Sequence, residues 1–333
     1  MIEQKSMNIN HFYTLTDDVG ILSRSIFSIP ERNSGYLVRE NAAALSFVLR
    51  YYSMTQDETI KPFIALFLSF IYQSFDSNSN RFKTMCFYNR DWVNNTLDID
   101  QGYCLWALGM GSEIAPEPES LLCSTLFSKC ISELEMCTDA TSKAAALMGA
   151  THYYKVYKDD ESIKVLIQRW SEQLLAKSDS QYYIVYWACL KSAHILKNND
   201  MLTTCSTALL EKLSLDIQDG LCKSVNSSPE EVSIIVGTCV TAFNKTGDER
   251  FKQFSRYAYN WFLGLNTHKI PLVNVKTGGC YAGFQEDGSL DKNEHASQSV
   301  SWLHALCDLQ SLLSRESTPF LMPQIKATVT ESN

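Results

Sequence analysis

The chain has 333 residues, of which 45% are apolar, 20% charged and 11% aromatic, and this composition excludes a disordered chain, a coiled coil and a collagen-like fibre. Its 14 glycines and 8 prolines are few for an all-β sandwich or barrel, and its formal charge of −8 does not suit a nucleic-acid partner. The length exceeds one simple core, so two domains or one large closed architecture is expected, built mainly from helices.

The opening, MIEQKSMNINHFYTL, has no apolar core of the kind a secretory signal carries. A first helix is expected over about 17–27. Five helical hairpins follow, with 39–53 pairing 57–75, 101–110 pairing 116–136, and 139–157 pairing 160–177. The last two pair 181–197 with 200–214 and 229–244 with 248–263. A final helix over about 294–314 lacks a following partner, so it is expected to pair with the first. Acidic turns near Asp57, Asp160, Asp200 and Asp248, with a Pro-containing break near Glu113, recur at intervals of about 40–56 residues. Acidic residues at those restarts suit helix N-termini.

The expected fold is therefore all-α, an (α/α)6 toroid of six helical hairpins in one domain, residues 1–316, with an extended or mobile tail over 317–333. The connections 28–38, 76–100, 215–228 and 264–293 are long and all lie at one end. Within them, RFKTMCFY and KIPLVNVKTGGCYAGF alternate apolar and polar residues, as short β-hairpins do.

A closed ring of this kind puts the first helix of each hairpin in an inner barrel, so the inner-helix starts crowd one mouth. Those starts carry Arg39, Glu40 and Asn41, then Asp98, Asp100 and Gln101, then Asp139, Gln181, Glu230 and Glu231, then Asn293, Glu294 and His295. Carboxylates can act as acid and base on a sugar, amides can bind its hydroxyls, and aromatic faces can stack on its ring. The competing reading of each is a helix cap. Glu40, Asp98, Asp100 and Glu294 are the candidate catalytic residues. Arg39, Asn41, Gln101, Asn293 and His295 are substrate-binding candidates, joined by Tyr36 and Trp92 in the long connections and by Tyr281 after a double glycine. Trp106, Trp170, Trp187, Trp261 and Trp302 fall at helical spacing and read as core.

No cofactor and no metal is expected: the six histidines are scattered, and P-loop, dinucleotide, zincin and hydrolase-elbow motifs are missing. Eleven cysteines without a CxxC pair read as buried thiols in a reducing, cytoplasmic setting. No apolar run is long enough for a membrane span.

Three blocks resemble a known family: HFYTLTDDVGILSRSIFSIPERNSGYLVRENAAALSFVLR, RFKTMCFYNRDWVNNTLDIDQGYCLWALGMGSE, and FLGLNTHKIPLVNVKTGGCYAGFQEDGSLDKNEHASQSVSWLHAL. Together they are similar to the six-hairpin-glycosidase-like all-helical domain found free-standing or C-terminal to bacterial glycosyltransferases. The resemblance implies an (α/α)6 toroid and a carbohydrate ligand, an oligosaccharide or polysaccharide fragment. Asp17, Asp18, Gly20, Asn41, Gly102, Trp106, Gly278, Gly279, Cys280 and Asn293 keep the family pattern. Other positions depart from it. Arg39-Glu40-Asn41 replaces an Asp-Asp-Asn run, and Gln101-Gly102-Tyr103 replaces His-Gly-Arg, which adds Tyr103 to the substrate-binding candidates. Ala282 stands for an Asp and Ser297 for a Glu.

Two functions are thus open on the sequence. One is a glycoside-hydrolase-like enzyme using Glu40 with Asp98, Asp100 or Glu294 as its acid–base pair. The other is a catalytically degenerate member that only binds a glycan or docks on a glycosyltransferase partner.

Overall fold

The computed structural model describes residues 7–176, 182–218 and 228–313. Helix α1 (Asn10–Leu15) is followed by five hairpins: α2 (Val38–Thr55) with α3 (Pro62–Ser74), and α4 (Asp98–Ile114) with α5 (Glu119–Cys130). Next come α6 (Ala140–Val156) with α7 (Glu161–Ala176), α8 (Tyr183–Ile195) with α9 (Asn199–Gln218), and α10 (Pro229–Thr246) with α11 (Glu249–Phe262). Helix α12 (Ala296–Leu313) ends the described chain, and the expected tail at 317–333 lies outside the described residues.

The even-numbered helices form the inner barrel. Each packs on the next, and α12 packs on α2, so the ring closes. The odd-numbered helices lie outside, and α1 supplies the partner of α12. This is the expected (α/α)6 toroid.

Local chemistry sets the helix ends. The Asp139 carboxylate accepts from Ser142 N at 2.7 Å to start α6, and Ser228 Oγ accepts from Glu231 N at 3.2 Å to start α10. Pro62 and Pro229 sit in first turns, where a missing N–H costs nothing. Inner helices α4 and α6 pack backbone against backbone. A Cβ at Gly102 would stand 2.5 Å from Ser142 O, and one at Gly109 2.1 Å from Gly149 O. The ring closure carries a partly buried ion pair: Arg50 on α2 bonds both carboxylate oxygens of Asp308 on α12, one at 3.0 Å.

The first helix differs from the expectation. It runs over Asn10–Leu15, and 17–27 is a turn leading into strand β1 (Ser25–Ile26). Asp17 Oδ1 accepts from Val19 N at 2.9 Å and Gly20 N at 3.3 Å, so its side chain takes the bonds a helix would need. Gly20 is pressed on Asn41, whose Oδ1 would lie 2.3 Å from a Cβ there.

Short antiparallel strand pairs decorate the connections that lead into inner helices. Strand β1 pairs β2 (Ile29–Pro30), β3 (Tyr36–Leu37) pairs β6 (Met85–Cys86), and β4 (Phe75–Asp76) pairs β5 (Arg81–Phe82). In the last connection β7 (Val273–Asn274) pairs β8 (Gly279–Cys280), and β9 (Gly283–Phe284) pairs β10 (Leu290–Asp291). RFKTMCFY is thus extended, but its two strands pair outward to different neighbours and not to each other. The ten described cysteines are free and buried. Among the described residues no helix is long and apolar enough to cross a membrane.

Candidate active site

The mouth at the inner-helix N-termini sorts the candidates into two groups. Several are consumed by structure. Asn41 is fully buried and bonds only backbone: its Oδ1 accepts from Ile21 N at 2.8 Å, and its Nδ2 donates to Leu37 O at 2.9 Å and Ile21 O at 3.3 Å. Gln101 holds both backbone groups of Phe82, accepting from N at 2.8 Å and donating to O at 2.7 Å, as a neighbouring strand would. Tyr36 is buried and donates its hydroxyl to Asp17 Oδ2 at 2.6 Å. Burial, then that bond, holds the phenol far above its ordinary range. Asn293 Oδ1 accepts from Phe27 N at 2.8 Å and pins the turn of the β1–β2 hairpin.

Glu294 belongs with these. Its two oxygens accept from Asn274 Nδ2 at 2.7 Å and Thr277 Oγ1 at 2.6 Å, and His11 Nδ1 lies 3.6 Å away. The double glycine serves this contact, since a Cβ at Gly279 would stand 2.2 Å from Glu294 Oε2. Tyr281 is half-buried just beyond it, with its hydroxyl pushed up by burial and by the nearby Glu294 charge. Asp98 stands at the rim, paired with Arg81 Nη2 at 2.5 Å, a bond that lowers its pKa and keeps it ionised. Trp92 is half-buried away from the axial cavity. It packs on Phe70 with ring centroids 5.2 Å apart and lines a separate cavity of about 330 Å³ with Asp18, Cys86 and Arg90.

The second group is linked by charge at the inner-helix starts. Glu40 is buried, and its Oε2 has no hydrogen-bond partner among the described residues. Burial raises its pKa to about 7, against the Ser23 hydroxyl and the Arg39 charge, which pull it down, while Glu230 adds to the rise. Asp100 is likewise buried with an unpartnered Oδ2, and burial raises it to about 6 against the Thr84 hydroxyl and Arg39. Arg39 is half-buried, and its charge reaches Glu40, Asp100 and Tyr103 together. His295 Nδ1 accepts from Ser25 N at 3.1 Å, so the neutral ring carries its proton on Nε2. Burial lowers its pKa, which favours that neutral form.

Below these groups a narrow axial cavity holds about 50 Å³ of water-accessible space. Tyr103, Trp106, Trp187, Glu230, Ser233 and His304 line it, all from inner helices. Trp106 and Trp187 meet edge to face at 5.3 Å, and Trp106 Nε1 is buried without a partner among the described residues. The two indoles are core by burial, as their spacing suggests, yet they also form the floor of the mouth. Glu230, which accepts from Gln298 Nε2 at 2.7 Å, is the axial carboxylate the candidate set omits. Its position one residue after Pro229, at an inner-helix start, is the same signal that marks Glu40. Gln181 lies outside the described residues. Among the described residues no three His, Cys, Asp or Glu side chains group as metal ligands do.

No family model and no curated protein matches this chain. Solved structures do. A sugar epimerase from a ruminal bacterium superposes with a TM-score of 0.75 over 94% of this chain and 97% of its own, at 11% identity. The cellobiose 2-epimerase of Bacillus thermoamylovorans gives 0.72 over 91% and 95%, at 14% identity. The cellulase Cel9M of C. cellulolyticum, solved with cellobiose, gives 0.62 over 88% of both chains, at 9% identity. Likeness at such low identity carries the architecture, and it agrees with the ring closure seen here: the chain has the (α/α)6 six-hairpin-glycosidase-like fold.

Proposed function

We propose that the ring acts as one domain on a mono- or disaccharide at its axial mouth, moving protons between the sugar and two carboxyl groups. One observation carries this reading: Glu40 and Asp100 are both buried, each keeps an oxygen without a partner, and both titrate near neutrality. Between pH 6 and 7 the pair is split, with Asp100 ionised as base and Glu40 protonated as acid. Arg39, whose charge reaches both carboxyl groups, would supply the positive charge that a developing enediolate oxygen needs. His295 Nε2–H and Trp106 Nε1–H are donors left over for sugar hydroxyls.

Epimerisation or isomerisation at C2 fits better than cleavage of a polymer. The axial cavity is a narrow well with about 50 Å³ of water-accessible space, which suits a small sugar better than a long chain. Epimerases of nearly the same length share the fold. Removal of the C2 proton by one carboxylate gives an enediol; an acid then returns a proton to the opposite face of C2 in epimerisation, or to C1 with the carbonyl moving to C2 in isomerisation, and no glycosidic bond breaks.

The test is incubation with glucose, mannose and cellobiose in D2O, read by NMR. Deuterium at C2 supports proton transfer, whereas new reducing ends without deuterium would move the reading to hydrolysis. Saturable sugar binding with neither change would leave a binding protein.

A further inference from the structure

The barrel has a second cavity at its opposite end, where the inner helices finish. It holds about 210 Å³ of water-accessible space, several times the ~30 Å³ that one water occupies. Thr151 and Lys155 of α6, Lys191 and His194 of α8, and Thr241 and Lys245 of α10 line it. In a chain of net charge −8 this is a concentration of cations.

Helix C-termini attract positive side chains, and Lys155, His194 and Lys245 satisfy that demand in the last turns of α6, α8 and α10. Lys191 is an additional cation, about one turn deeper than His194 on the same helix. Its ammonium donates to His152 Nε2 at 3.1 Å, and among the described residues no carboxylate forms an ion pair with it. The acids at this end are already engaged. Glu113 bonds His152 Nδ1 at 2.5 Å and Lys155 Nζ at 3.0 Å, and Asp308 is bonded by Arg50. Arg50 thus pairs with Asp308 and Lys155 with Glu113, which leaves Lys191 without an ion pair among the described residues, while His152 is buried and neutral. Trp187 Nε1 donates to Thr241 Oγ1 at 2.8 Å, which leaves the Thr241 hydroxyl proton to point elsewhere. The cavity therefore offers a positive field, a deep amine and a hydroxyl donor, and no carboxylate among the described residues lines it.

We propose that this cavity binds a phosphate dianion, either free or as a phosphate monoester, with Lys191 at its base and Lys155 and Lys245 at its rim. A doubly charged oxyanion supplies the compensation that Lys191 lacks, and charge-assisted bonds from lysine suit its compact oxygens. The Lys191 amine supports this. Burial, then the charges of Lys155 and Arg50, depress its pKa to about 7, while Asp308 and Glu113 act the other way. An anion at the site would return the proton, so binding above neutrality takes one up. The inference is independent of the chemistry at the mouth.

Isothermal titration of the full chain at pH 7.5 and low salt, in two buffers of different ionisation enthalpy, tests it. Inorganic phosphate and glucose 6-phosphate are the probes. One saturable site with net proton uptake is expected, weakened at least tenfold by Lys191→Met and by Lys245→Gln. Arg90→Gln, which removes an exposed cation elsewhere, should leave it unchanged. Tighter binding of glucose 6-phosphate assigns the site to a monoester, and equal binding assigns it to phosphate itself. Binding without proton uptake, binding indifferent to Lys245→Gln, or no binding overturns the proposal. Lys245→Gln lies at a helix end, so the test survives if Lys191→Met fails to fold.

Discussion

Gly109 on α4 and Gly149 on α6 meet so closely that a Cβ on either would lie 2.1 Å from backbone oxygen of the other helix. This contact draws two inner staves together about one turn beyond Trp106, on the side away from the mouth. Gly149→Ala should therefore force the helices apart and cost at least about 1–3 kcal/mol, the usual range for overpacking. Urea denaturation would show it as a lower midpoint with an unchanged slope. A stability equal to the parent would mean that the helices separate freely.

The Glu40 carboxyl trades stability for chemistry. Its folded pKa of about 7 lies above the ordinary 4.5, so the folded state binds the extra proton between those values. Its burial is harmless below pH 4.5, costs progressively more as pH rises towards 7, and costs most above it. Glu40→Gln should stabilise the protein at pH 8 by up to about 3 kcal/mol. It should leave stability at pH 4 nearly unchanged. Thermal melts at the two pH values check this, and equal shifts at both would contradict it.

The same residue predicts the pH profile of turnover. With Asp100 required as the ionised base near 6 and Glu40 as the protonated acid near 7, activity should peak between pH 6 and 7 and fall on both sides. Glu40→Gln should lower turnover by about 100-fold or more and remove the alkaline limb. Asp100→Asn should be as damaging. A flat profile from pH 5 to 8 would remove both from the mechanism.

Filling the axial well should separate binding from folding. Ser301 is half-buried on the cavity wall, and Ser301→Leu would place a branched side chain into about 50 Å³ of space. Sugar affinity should drop at least tenfold while the melting temperature holds or rises. Unchanged affinity, measured by titration with the sugar that the D2O assay identifies, would place the ligand elsewhere.

Tyr36 should behave as structure. Tyr36→Phe removes the donor to Asp17 Oδ2 in a buried setting and should cost about 1–3 kcal/mol. Turnover per folded molecule should stay within about twofold, because losing one hydrogen bond remote from the axis leaves the axial groups in place. A large loss of kcat at full folding would put the hydroxyl at the substrate.

The helical hairpins are legible because apolar spacing and acidic turns are local signals that neighbouring residues set. The period of the turns and the lone terminal helix together imply a closed ring, and the ring follows. The first helix lies earlier than its spacing implies because Asp17 and Gly20 make a turn whose bonds depend on Asn41, twenty residues further on. Of the polar residues at the mouth, the sequence could say only that they start inner helices. Asn41, Gln101 and Glu294 turn to backbone and loop partners, whereas Glu40 and Asp100 keep an oxygen bare. That division rests on which side chain finds a partner across the ring, and no spacing along the chain records it. Composition and periodicity thus determined a closed helical toroid with few turn residues. Burial and long-range bonding, which exist only in the folded ring, decided which carboxylates stay available for chemistry and where positive charge gathers at the far end.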